Sequence, residues 1–276
     1  MKPIIVWFRQ DLRLSDNPAL VFAAKSGRPV VCLYVLDDET PGDWRWGGAA
    51  RWWLHHSLTA LDKALGRHDG GGLVLRRGLA NKVLKSVARE TGAEAVSWNR
   101  CYEPYAVARD KKLKMELTRE GITVESFNAA LLFEPWEICT KEGKPFRVFT
   151  PFWKALREKT EPGKPRPAPG KFIFQQQIKS DDLRDWALLP VKPDWAKDFD
   201  WTPGEAAAHQ TLLSFRHDIV DYSRARDIPG LDGTSRLSPH LSWGEIGPRQ
   251  VWHAVKADAQ SEGAQTFLRE LGWREF

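Results

Sequence analysis

The sequence predicts an α/β fold: a doubly wound, five-stranded parallel sheet of the Rossmann-like kind, followed by a helical part. Three observations predict it. Five short runs rich in β-branched and aromatic residues alternate with helical patterns over the first 130 or so residues; strand signals vanish from Gly204 onward; and a tract rich in Pro, Lys and Gly separates the two regions.

The first run, PIIVWF (3–8), has no polar face, as expected of a strand buried on both sides. Asn17 then offers an N-cap and Pro18 a first helical position. The second run is VVCLYVLD (30–37), after which Leu54, Leu58, Leu61 and Leu65 recur at helical spacing up to Gly66. GLVLRRG (72–78) is the third strand, and a helix is expected from about Leu79 to Gly92. EAVSWN (94–99), a helix within 107–120 and TVESFN (123–128) complete the alternation. FTPFWKAL and EPGKPRPAPGK (161–171) read as a crossing connector. Beyond it, HQTLLSFRHDIVDYSRARD, PRQVWHAVKADAQ and TFLRELGWREF (266–276) are helical. The expected division is 1–130, an α/β domain; 131–203, a connector; and 204–276, a helical region.

Composition sets outer limits. With 42% apolar and 28% charged residues the chain is globular rather than disordered. No stretch approaches the roughly 20 apolar residues of a membrane span, and the start, MKPIIVWFRQDLR, lacks a signal-peptide pattern, so a cytoplasmic protein with no membrane partner is expected. Cys32, Cys101 and Cys139 are odd in number and lack metal-ligand spacing, so no metal site is expected. A net charge of +5 is compatible with a polyanionic partner, and 14 tryptophans can fill core or stack on flat ligands.

Chemistry concentrates in two stretches. In open α/β sheets ligands bind at the carboxyl ends of the strands. The first such end, FRQDLRLSDN, crowds Arg9, Asp11, Arg13 and Asp16 together, and NRCYEPYAVARD adds Arg100, Glu103 and Tyr105 at the same edge. A planar ligand could sit there; a solvated loop with internal salt bridges is the competing reading. No G-x-G-x-x-G follows the first strand, which disfavours a nicotinamide dehydrogenase. The second stretch is DGTSRLSPHLSWGEIGPRQ (232–250). Its Thr234, Ser235, Ser238 and Arg236 suit a diphosphate, and an ordinary N-capped helix with a surface arginine is the alternative.

FRQDLRLSDNPAL, GTSRLSPHLSWGEI and FLRELGWREF, in this order and with RWWLHHSLTALD, YEPYAVARD and VFTPFWKA between them, resemble the cryptochrome/photolyase family over the whole chain. Within it the sequence looks most like the bacterial class I cyclobutane pyrimidine dimer photolyases. The resemblance implies an antenna domain, then an all-helical domain holding FAD, whose reduced form lends an electron under blue light to a pyrimidine dimer flipped out of DNA. It assigns cofactor contacts to Tyr222, Thr234, Ser235, Arg236, Leu237, Ser238, Phe267 and Arg274. It assigns the lesion to Glu270 and Trp273, which three residues apart on a helix share a face, and a DNA phosphate to Arg226. Strand order puts Arg9, Asp11, Arg13 and Glu103 at one sheet edge, and with Arg51 these are the expected antenna-binding residues.

Two departures from the family pattern bear on these expectations. Folate-binding members carry Asn-Glu where this chain has Tyr105-Ala106, so a folate antenna is disfavoured and the second chromophore stays open between deazaflavin, flavin and folate. Family members also continue well beyond the WREF segment, which implies that the chain is the front part of such a protein, incomplete in its FAD-binding domain, inactive alone, and with a final helix short of packing partners. The expected partner is UV-damaged DNA, bound by a monomer. Two further readings stand beside the repair enzyme: a blue-light-sensing cryptochrome, and a non-catalytic α/β nucleotide-binding remnant. Glu270 and Trp273 discriminate, because a sensor can dispense with both.

Overall fold

Residues 4 to 8 show why the sheet is buried on both sides. Ile4, Val6 and Phe8 enter one core, with Ala19, Leu20, Leu54, Leu58, Leu61 and Leu65, whereas Ile5 and Trp7 enter another, with Leu84, Val87, Leu113 and Leu117. Side chains alternate along a strand, so an uninterrupted apolar run feeds two layers at once. The structure, a computed structural model, describes residues 1–66, 71–159 and 161–276.

The strands are β1 (Ile4–Phe8), β2 (Val30–Leu36), β3 (Leu73–Arg77), β4 (Ala95–Asn99) and β5 (Thr123–Phe127), all parallel, in the order β3-β2-β1-β4-β5. Between them run α1 (Pro18–Lys25), α2 (Gly48–Leu65), α3 (Ala80–Thr91) and α4 (Pro104–Arg119). The expected signals act as read: the Asn17 side chain accepts from Leu20 N at 3.1 Å, and Gly92 ends α3 at φ 66°. The fourth helix starts earlier than its periodicity suggested, because Pro104 occupies its first turn.

The connector holds more structure than its composition indicated. Phe149–Glu158 forms helix α5, whose Phe149, Phe152 and Leu156 are buried. Further on, Val30 N donates to Ile173 O at 2.7 Å, and Asp181 N to Leu75 O at 2.8 Å, so the segment packs along the β2–β3 side of the sheet.

The remainder is helical: α6 (Glu205–Asp218), α7 (Tyr222–Ala225), α8 (Ser238–Ser242), α9 (Pro248–Lys256) and α10 (Glu262–Glu275). Helix α10 begins before the WREF-containing stretch, at Ser261, whose hydroxyl accepts from Ala264 N at 3.2 Å. The final helix does not lack partners. Phe267, Leu268 and Leu271 are buried in one core with residues of α5, α6 and α9, and of the helix's large apolar residues only Trp273 and Phe276, 48% and 45% exposed, stay open. Among the described residues no helix is long and apolar enough to cross a membrane.

Polar staples join the sheet to the helices. The guanidinium of Arg13, 1% exposed, donates to Gly244 O at 2.9 Å and to Asp16 O and Ala129 O at 2.8 Å. Glu205 accepts from Leu14 N and Ser15 N. Gly244, at φ +63°, brings the chain so close that a Cβ there would lie 2.0 Å from Gln10 O. Deeper still, Glu245 is fully buried, accepting from Trp53 Nε1 at 3.0 Å and Gly204 N at 2.6 Å, with His240 Nδ1 at 2.5 Å.

Candidate functional site

A cavity of about 710 Å³ lies where the carboxyl ends of β1 and β4 meet the helical part. Its sheet side is formed by Gln10, Asp11 and residues 99–103, its connector side by residues 129–131, and its helical side by α7, α8 and α10. Topology explains the place: β1 and β4 are adjacent, their following helices lie on opposite layers, and the crevice opens between the two chain crossings.

The sheet side is a closed polar network. Asp11 accepts from Arg9 N at 2.6 Å and from Asn99 Nδ2 at 2.5 Å, and Asn99 Nδ2 also donates to Asn17 Oδ1 at 2.7 Å. Arg100 donates to Ser126 O at 2.5 Å and pairs with Glu134, which also accepts from Tyr102 Oη at 3.0 Å. Burial, reinforced by Glu134, pushes the Tyr102 phenol well above its ordinary pKa. One atom is left over: Glu103 Oε2 is buried without a hydrogen-bond partner among the described residues. A carboxylate oxygen in that position invites a donor from the cavity.

The helical side gathers much of what the motifs suggested. Tyr222, Ser235, Ser238, Phe267 and Arg274 line the cavity together with Glu270. Phe267 packs against Tyr222 at 5.3 Å between ring centroids, and Arg274 donates to Ala130 O at 2.8 Å, tying α10 to the connector side. Thr234 and Arg236 turn away into a neighbouring cavity of about 610 Å³, where the Arg236 guanidinium lies 4.3 Å from the Trp201 ring. Leu237 is 1% exposed and serves the core through its side chain.

Glu270 and Trp273 part company. Glu270 faces the cavity and pairs with Arg226 at 2.6 Å, a contact that raises the arginine's pKa. Trp273 stacks on Phe149 with ring centroids 3.7 Å apart and planes at 8°, and does not line the cavity. Spacing put the two on one helical face; Phe149, from α5, stacks on Trp273 and draws it away from the cavity that Glu270 lines.

The five residues expected to bind an antenna do not converge either. Arg9 lines a small cavity of about 40 Å³ with Trp7, Tyr34 and Arg109. Asp11 and Glu103 line the large one. Arg13 spends its guanidinium on the staple described above, and Arg51 is paired with Asp38 at 2.6 Å. Trp7 Nε1 and Arg9 Nε are buried without acceptors beside the small cavity, but about 40 Å³ is far below the 300–1,000 Å³ typical of a drug-sized ligand. Sequence reading singled out Arg100 but missed Asn99, Tyr102, Glu134 and residues 129–131. Asn99 and Tyr102 belong to the strand end and loop that the sequence had marked, whereas Glu134 and residues 129–131 depend on a connector without periodicity.

Comparison with known proteins supports the fold. The family model described as DNA photolyase matches residues 4–170. The chain is 48% identical over 282 residues to the deoxyribodipyrimidine photo-lyase of Agrobacterium fabrum, covering 99% of this chain and 58% of that protein. It is 36% identical to cryptochrome-1 of Arabidopsis thaliana, covering 99% of this chain and 42% of that protein. The crystal structure of a bacterial class III photolyase from Agrobacterium tumefaciens superposes with a TM-score of 0.94 at 46% identity, covering 100% of this chain and 58% of the other. The chain thus spans about half the length of these relatives.

Proposed function

Because the chain belongs to the DNA photolyase family, we propose that it contributes the sheet domain and one side of the cofactor and lesion site of a light-driven enzyme that splits cyclobutane pyrimidine dimers in DNA. The supporting observation is the convergence of Tyr222, Ser235, Ser238, Phe267, Glu270 and Arg274 on one cavity of about 710 Å³. As to branch, the 46% identity and TM-score of 0.94 to a class III photolyase favour class III over the class I expected from motifs.

The donor set fits FAD. The cavity volume lies in the range of ligand sites, aromatic rings and hydroxyls line it, and the orphaned Glu103 oxygen can accept from a ribityl or ribose hydroxyl. When bound, reduced FAD supplies under blue light the electron that splits the dimer. Ser235 and Ser238 would hold its polar chain, Arg274 would place positive charge near its phosphates, and Tyr222 and Phe267 would exclude water from its flat parts. Arg226 holds the Glu270 carboxylate in the free protein. A DNA phosphate that draws Arg226 away would release Glu270 to the flipped base. Trp273, 48% exposed, keeps surface open for one base to stack.

Cryptochrome-1 at 36% identity supports the sensor as second reading. One binding experiment separates the two. With FAD present, the repair reading expects dimer-containing oligonucleotide to bind at least tenfold tighter than undamaged DNA, and Glu270→Ala to abolish the preference. Flavin binding without any preference favours the sensor, and no flavin binding at all favours the remnant.

A further inference from the structure

A second cavity, of about 590 Å³, lies on the face of α10 turned away from the first, and none of the motifs accounts for it. Its apolar surface comes from Trp153 and Leu156 of α5, Trp252 of α9 and Leu268 of α10. Around this surface stand Arg157, Lys159, Lys256 and Arg269, opposed by Glu161 and Glu262. Lys256 is paired with Glu161. Arg157, Lys159 and Arg269 have no ion-pair partner among the described residues.

Two features ask for a ligand. The indole of Trp252 is 8% exposed, and its Nε1–H is buried without an acceptor among the described residues. Arg157, Lys159 and Arg269 stand at the mouth of an apolar hollow, where a bound anion gains charge-assisted hydrogen bonds. The volume lies within the 300–1,000 Å³ typical of small-molecule sites. Indoles favour flat, π-rich partners.

We propose that this cavity is a second binding site, for a planar aromatic monophosphate of mononucleotide size. The ring lies over the tryptophan-lined surface, the phosphate takes the forks of Arg157 and Arg269, and a ring nitrogen or carbonyl accepts from Trp252. The site is independent of the FAD-site proposal, since it shares with that cavity the helix α10 but no lining residue.

The test is calorimetric titration of the 276-residue chain with AMP, adenosine and inorganic phosphate. AMP is expected to saturate the protein, with adenosine and phosphate each at least tenfold weaker. Arg157→Glu with Arg269→Glu, both exposed positions, should weaken AMP at least tenfold while near-UV circular dichroism is unchanged; if charge reversal unfolds the chain, Arg157→Gln with Arg269→Gln replaces it. Ser235→Ala with Ser238→Ala, in the first cavity, should leave AMP affinity as it was. Unchanged AMP affinity in the arginine variants, loss confined to the serine variants, or no saturation by AMP overturns the proposal. So does binding of a ten-nucleotide thymidine strand through Arg157 and Arg269 without AMP binding, which would make the surface a nucleic-acid contact.

Discussion

Glu275, in the last turn of α10, is a carboxyl group buried to 4% side-chain exposure. Its Oε2 accepts from Leu132 N at 2.8 Å, and Arg274 lies 3.2 Å from Oε1, yet burial outweighs both and pushes its pKa up to about 7. Because the folded value is raised above the unfolded one, the stability this group contributes is complete below about pH 4.5 and is lost as pH rises through about 7. Each pKa unit is worth about 1.4 kcal/mol, so the loss is on the order of 3 kcal/mol. Glu275→Gln should match the parent in urea midpoint near pH 4.5 and exceed it at pH 8; parallel curves would show that Glu275 titrates normally. Trp273 tests a different reading at the same scale. If it only completes the stack on Phe149, Trp273→Ala costs stability and spares DNA; if it meets a flipped base, affinity for dimer-containing DNA falls by roughly 1–3 kcal/mol beyond any folding loss. The sequence could place Trp273 three residues from Glu270, but its stacking partner comes from a stretch more than a hundred positions earlier, which no local period reports.

Elements built from local rules were the legible ones. The five strands announced themselves because burial on both faces forbids polar residues, and Asn17, Pro18 and Gly92 marked helix ends through their own backbone chemistry. Helix α5 was read as connector because Pro151 sits within it and a proline tract follows; its identity rests on Phe149, Phe152 and Leu156 meeting helices distant in sequence. Contacts between elements obeyed the same division. Gly244 appears in the sequence as one more turn residue, but its positive φ and the 2.0 Å approach of a would-be Cβ to Gln10 O make it the hinge of the sheet–helix junction. Gly244→Ala should therefore destabilise by more than about 3 kcal/mol, near the upper end of single substitutions. Urea unfolding checks it, and a change below about 1 kcal/mol would mean that the junction gives way easily.

Across the whole molecule, the staples decide whether sheet and helices behave as one body. Arg13 and Glu245 each bond to both sides, and Glu245 is fully buried with His240, Trp53 and Gly204 around it. Glu245→Ala strands these donors and should cost about 3–5 kcal/mol; the parent should melt in a single transition by far-UV circular dichroism and by tryptophan fluorescence alike. Two separated transitions would instead match the expectation, drawn from the family resemblance, of a final helix short of packing partners. We propose that the crevice between the carboxyl edge of the sheet and helices α7, α8 and α10 holds FAD. Hydrogen exchange followed by mass spectrometry, with and without FAD, checks this: new protection is expected in residues 99–103, 222–242 and 262–275, and protection confined to residues 37–46, or none anywhere, would rule the crevice out.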